Sequence, residues 1–110
     1  MVPANNPVET AIYQVPEVGS HNHWVEGDVL YAGYYYGGIR VLDISGELLG
    51  DLYAQGREIA FFEGRDPNGK IPNETNVWGV IPYKGLIYFA DHYNGLWAVK
   101  LVDDETMGTN

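Results

Sequence analysis

The chain of 110 residues contains no cysteine, which excludes disulfides, thiolate metal sites and a thiol nucleophile while leaving the compartment undetermined. Positive charge is scarce: six Lys and Arg stand against fifteen Asp and Glu, for a formal net charge of -9. Such a field repels phosphate backbones and anionic lipid, so neither nucleic acid nor a membrane surface is an expected partner. No apolar run approaches the roughly 18 residues of a membrane-crossing helix. The first residues, MVPANNPVE, lack the basic-then-apolar pattern of an export signal, and none is expected in this chain. Long helical periodicity, a G-x-S-x-G elbow and a glycine-rich phosphate loop are also missing.

What the chain does have is 45% apolar residues, 14% aromatics, fourteen glycines and six prolines. Short segments rich in Val, Ile, Tyr and Phe are separated by Gly, Pro, Asn and Asp, the punctuation of an all-β protein. Thr10–Val15, His21–Glu26, Asp28–Tyr34 and Gly38–Ile44 make a first set of four expected strands, and Arg57–Phe62, Asn76–Tyr83, Leu86–Asp91 and Gly95–Val102 a second. DVLYAG does not alternate cleanly, which predicts a strand buried on both faces.

An internal repeat organises these segments. LYAGYYYGGIRVLDI (30–44) falls on IYFADHYNGLWAVKL (87–101) without a gap, so that Tyr31 matches Tyr88, Tyr36 matches Tyr93 and Gly38 matches Gly95 at an offset of 57 residues. Asn22-x-Trp24 matches Asn76-x-Trp78 once three extra residues are allowed before Gly85. Repeats near this length with four strands each point to β-propeller blades. The expected architecture is therefore all-β: two four-stranded antiparallel blades, at about 8–45 and 57–102, followed by a flexible acidic tail at 103–110. Two blades cannot close a ring, so the ring is expected to be completed by oligomerisation or by sequence outside this chain.

Asn6-Pro7-Val8, His21 to Val25 with Gly27, Leu30-Tyr31-Ala32 and Gly38-Ile39-Arg40-Val41-Leu42-Asp43-Ile44-Ser45 together resemble the LVIVD-repeat family of β-propellers, in particular its two C-terminal repeats. The second unit departs from that pattern, with Trp97 in place of Arg40, Lys100 in place of Asp43, and Thr75 and Val77 in place of His21 and His23. The resemblance implies a many-bladed propeller of which this chain is a fragment or an assembling unit, in an extracellular or periplasmic setting. It also implies a distant likeness to propellers that hold metal through channel histidines.

If His21–Glu26 is an innermost strand, its start and the hairpin tip Tyr34-Tyr35-Tyr36 meet at one mouth of the channel. The same logic brings Trp78, Asp91, His92 and Tyr93 there, with the connection 63–75 opening beside them. Two readings of this cluster remain open. In the first, Tyr34, Tyr35, Tyr36, Trp24, Trp78, Asp91 and Tyr93 form a contact face for a protein or glycan partner in a non-enzymatic module without a cofactor, or are simply aromatic packing before turn glycines. In the second, His21 and His23, about 7 Å apart on one strand face, join His92 to hold copper or zinc in an oxidoreductase-like propeller. Asp43 is expected to tie a turn.

Overall fold

A computed structural model describes residues 7–102; the expected tail at 103–110 lies outside the described residues. Among those residues there are nine strands and no helix. They are β1 (Ala11–Ile12), β2 (His23–Glu26), β3 (Val29–Gly33), β4 (Ile39–Asp43), β5 (Gly50–Asp51), β6 (Glu58–Phe62), β7 (Val77–Tyr83), β8 (Leu86–Asp91) and β9 (Gly95–Val99).

The strands form one antiparallel sheet in the order β2-β3-β4-β6, a second in the order β7-β8-β9, and a parallel pair β1-β5. The chain is thus all-β and mainly antiparallel, but the expected two sets of four strands need correction. Thr10–Val15 does not join the first sheet; only Ala11–Ile12 is extended, opposite Gly50–Asp51. The 57–62 segment, grouped by sequence with the second unit, pairs instead with β4. The reason lies in a charge. Arg40 is buried, and a buried guanidinium requires an anion and hydrogen-bond acceptors. Glu58 of β6 supplies the anion at 3.1 Å, the Gly37 carbonyl accepts from Arg40 Nε at 2.9 Å, and the Phe61 ring lies 4.6 Å below the guanidinium carbon.

The two larger sheets pack face to face. Ile39 and Val41 of the first meet Val77, Val80, Ile87 and Phe89 of the second, with Tyr31, Ala60 and Trp97 closing the margins. Phe62 adds ring contacts to Phe89 at 6.0 Å and Trp97 at 5.7 Å. The opposite face of the first sheet is covered by the N-terminal segment, where Val15 packs with Ala32 and Tyr34 and Tyr13 leans on them. Covered on both sides, β3 and β4 lose the inside–outside alternation of a surface strand, which the DVLYAG segment predicts for β3 and which its sequence does not mark for β4. Tyr13 also donates to Glu58 at 2.6 Å. Burial, with that hydrogen bond and the Glu58 charge, pushes its phenol well above the ordinary tyrosine range.

Tight connections hold the rims. Arg57 donates to the carbonyls of Asp43, Ser45 and Glu47 at 3.2, 2.7 and 3.1 Å, folding the loop after β4 around one guanidinium. The Asp43 carboxylate accepts the Ser45 N–H at 2.8 Å, and hydrogen bonds from Ser45 hold its carboxyl below the usual range, consistent with a turn-tying role.

Candidate functional site at the seam between the sheets

The two sheets are joined at one end by main-chain bonds. Tyr35 and Val77 exchange N–H···O=C bonds of 3.0 and 3.1 Å, and the Trp78 carbonyl accepts from Asn22 N at 3.1 Å. In β7, Val77 opposes Asp91 and Gly79 opposes Ala90, leaving Trp78 as the extra residue of a bulge. A bulge re-aims the inserted side chain. The Trp78 indole stacks on His21 with ring centroids 4.9 Å apart and on His92 at 5.3 Å, while Tyr35 meets it edge-on at 6.2 Å. Trp78 Nε1 donates to Asn76 Oδ1 at 3.1 Å. His21 Nδ1 lies 3.0 Å from the Trp78 carbonyl; since a carbonyl only accepts, that nitrogen carries the hydrogen.

Tyr35 adopts φ of 41°, a left-handed conformation that costs a non-glycine residue about 1–2 kcal/mol. The exchange of bonds with Val77 and the edge contacts with His21 and Trp78 hold it there. The three consecutive tyrosines have three different fates. Tyr34 is 3% exposed and donates to the Tyr13 carbonyl at 3.0 Å, so it belongs to the core. Tyr35 belongs to the seam. Tyr36 is 53% exposed, and its phenol is pushed up first by the hydrogen bond and charge of Tyr93 and then by the Glu74 charge.

Asp91 is structural. Its carboxylate is buried and accepts from Thr75 Oγ1, from the main-chain nitrogens of Asn76, Tyr93 and Asn94 at 3.1, 2.9 and 3.2 Å, and from Asn94 Nδ2 at 3.3 Å. With every lone-pair direction engaged, it offers little to a ligand. Sequence reading missed Thr75, Asn94 and Arg65. Asn94 Nδ2 reaches back to the carbonyls of Gly64 and Glu74 at 2.6 and 2.8 Å. Arg65 ties the tyrosine tip to the long connection through the carbonyls of Tyr36 at 3.3 Å and Asn73 at 3.0 Å. The partners that tie these three across the fold, Asp91 for Thr75, Gly64 and Glu74 for Asn94, and Tyr36 and Asn73 for Arg65, lie eight to thirty residues away, so no local pattern marks them.

Of the residues expected at one mouth, His21, Tyr35, Tyr36, Trp78, His92 and Tyr93 are brought into a chain of contacts. His23 and Trp24 are not. They sit in β2 opposite Ala32 and Tyr31 and line a separate cavity of about 480 Å³ with Gly79, Ile81 and Leu96. Among the described residues, no three His, Cys, Asp or Glu side chains converge as a metal-ligand set. His21 precedes β2 and is held by Trp78, whereas His23 lies within the strand.

Alanine substitution separates core from surface within the tyrosine triplet. Tyr34→Ala is expected to cost about 3–5 kcal/mol, as for other buried aromatics, and Tyr36→Ala less than about 0.5 kcal/mol. Urea unfolding followed by Trp fluorescence reads both; equal losses would contradict this division.

Comparison of the chain with protein-family models, with curated proteins and with solved structures finds no match.

Proposed function

We propose that the chain is a non-enzymatic binding and assembly module of β-propeller type, resembling LVIVD-repeat blades. The observation that carries this reading is the outer side of the second sheet. Val80, Ile87 and Phe89 face the first sheet and are buried, yet the alternate positions are apolar as well: Leu96 is 77% exposed, Tyr83 57% and Ile81 40%. A solvated sheet face normally carries polar residues there. An apolar one, next to a β9 edge without a strand partner among the described residues, is the mark of an interaction surface.

Repeat register supports the blade interpretation, because β2, β3 and β4 correspond in order to β7, β8 and β9. The seam adds a second contact surface, where Tyr36 and Tyr93 offer rigid aromatic area to a protein or glycan partner. The polar groups around it are engaged in holding the fold, as with Asp91 and His21, which favours binding over chemistry. Sedimentation velocity over a concentration series tests the reading. The expected result is a self-associating species larger than one chain; a well-folded, strictly monomeric chain overturns it.

A further inference from the structure

We infer that the second sheet is completed by the N-terminal strand segment of a second copy, Glu9–Tyr13, docking antiparallel on the outer edge of β9. This rests on the assembly reading above and names the surfaces that would carry it. The first sheet shows what a complete unit looks like: β6 runs along the outer edge of β4, with Ile39, Arg40, Val41 and Leu42 opposite Phe62, Phe61, Ala60 and Glu58. β9 is the repeat counterpart of β4, and its outer edge has no partner among the described strands.

The chain contains a second segment built like β6. Glu9-Thr10-Ala11-Ile12-Tyr13 aligns with Glu58-Ile59-Ala60-Phe61-Phe62: Glu and Ala are identical at the first and third positions, and the fifth is aromatic in both. Their surroundings correspond too. Phe62 packs against Phe89 and Trp97 of the second sheet, whose repeat counterparts in the first sheet are Ala32 and Arg40. Tyr13 packs on the cluster containing Ala32 and shares Glu58 with Arg40. Glu9–Tyr13 thus stands to the first sheet as β6 stands to the second, as the outer strand of a neighbouring unit. Among the described residues its strand pairing is a two-residue parallel contact with β5, in which the carbonyls of Thr10 and Ile12 accept from Gly50 and Leu52. Backbone groups alternate between the two edges of a strand, so Ala11 presents its N–H and carbonyl on the edge away from β5, where the Tyr13 carbonyl uses one of its two lone pairs on the Tyr34 hydroxyl.

An outer strand without its sheet and a sheet without its outer strand are complementary, and in two copies each satisfies the other head to tail. Transferring the β4–β6 register gives the pairing: Leu96, Trp97, Ala98 and Val99 opposite Tyr13, Ile12, Ala11 and Glu9 of the second copy.

The absence of native cysteine permits a direct test. Directly opposed residues in an antiparallel pair have Cα atoms roughly 4.5–5.5 Å apart, within the disulfide range of roughly 4.4–6.8 Å. The full chain carrying Ala11→Cys and Ala98→Cys is therefore expected to give a ladder of covalent dimers and larger species on mild oxidation. Ala11→Cys with Ala90→Cys, which places the second cysteine on the inner strand β8 away from the proposed edge, is the control and should give none. A second variant, Gly95→Ala, probes the same contact without cysteine. Its counterpart Gly38 lies against Phe62, where a Cβ would come within 2.1 Å of the carbonyl oxygen, whereas a Cβ at Gly95 meets nothing within 4 Å in the single chain. Gly95→Ala should leave the chain folded and remove the association. Association without a specific ladder, or unaffected by Gly95→Ala, overturns the strand-exchange inference and leaves the assembly reading standing; a monomer overturns both.

Discussion

Asp91→Ala is expected to destabilise the protein by about 3–5 kcal/mol, because it strips the acceptor from a buried hydroxyl and several main-chain donors at once. A buried donor left without a partner costs about 1–3 kcal/mol, and here Thr75 Oγ1 is fully buried with the carboxylate as its partner. The N–H groups of Asn76, Tyr93 and Asn94 lose the same acceptor. For a domain of this size each kcal/mol lowers the melting temperature by roughly 4–8 °C, so a fall of more than about 12 °C is the expected result in a thermal scan. Asp91→Asn keeps one acceptor oxygen but places an amide N–H2 donor among donors, and should fall between wild type and alanine. The seam should loosen with it, since Asp91 opposes Val77 at the bulge that projects Trp78. A shift in Trp78 emission at low denaturant is the accompanying readout. A loss below about 1 kcal/mol would show that water replaces the carboxylate without difficulty, and would make Asp91 free for another role.

Gly38→Ala is the second large effect, and its repeat partner supplies the control. Gly38 has φ of 73° and Gly95 has φ of 87°, so alanine at either position bears the left-handed penalty of about 1–2 kcal/mol. At Gly38 the added carbon would also lie 2.1 Å from the Phe62 carbonyl oxygen and 2.9 Å from the Glu63 Cα. Both are backbone atoms that side-chain rotation cannot move, so β6 must shift away from β4. That shift would pull Glu58 from the buried Arg40, a break expected to bring the total to at least about 4 kcal/mol. Gly95→Ala in the monomeric state should cost only the conformational part. Parallel urea melts of the two variants, at concentrations where association is negligible, measure the difference. Equal losses would mean that β6 yields freely and does not lock the first sheet.

The strands themselves were largely legible in the sequence. β2, β3, β4, β6, β7, β8 and β9 all lie within segments that the β-branched and aromatic runs mark out. The exceptions are instructive. β5 lies in SGELLGDLYAQG, where no run of strand-forming residues exists; its two residues pair because Arg57 and the turn at Asp51 hold the loop against Thr10 and Ile12. Thr10–Val15 looks like a strand of the first sheet, yet Tyr13 and Val15 serve as a cover for its face. At the seam, antiparallel hairpin geometry together with the repeat led to the expectation that Tyr35, Tyr36, Trp78, His92 and Tyr93 lie at one end. The stacking of His21 on Trp78 did not follow from either, because it depends on a bulge that adds one residue to β7 without a sequence marker.

By itself, the sequence determined that this chain is all-β, where most strands begin and end, and that two units share one register 57 residues apart. These are consequences of local preference: side-chain branching, alternation and turn glycines act within a few residues of where they are read. Only the tertiary structure decided which sheet receives 58–62, which of three adjacent tyrosines is core, seam or surface, and that Asp91 and His21 are engaged in holding the fold. Each of those outcomes is set by what a distant segment places against the residue. Glu58 reaches Arg40 from eighteen positions away, Tyr34 meets the Tyr13 carbonyl across twenty-one, and His21 finds Trp78 across fifty-seven. Burial and hydrogen bonding are properties of such pairs, and a pair has no signature in either of its halves.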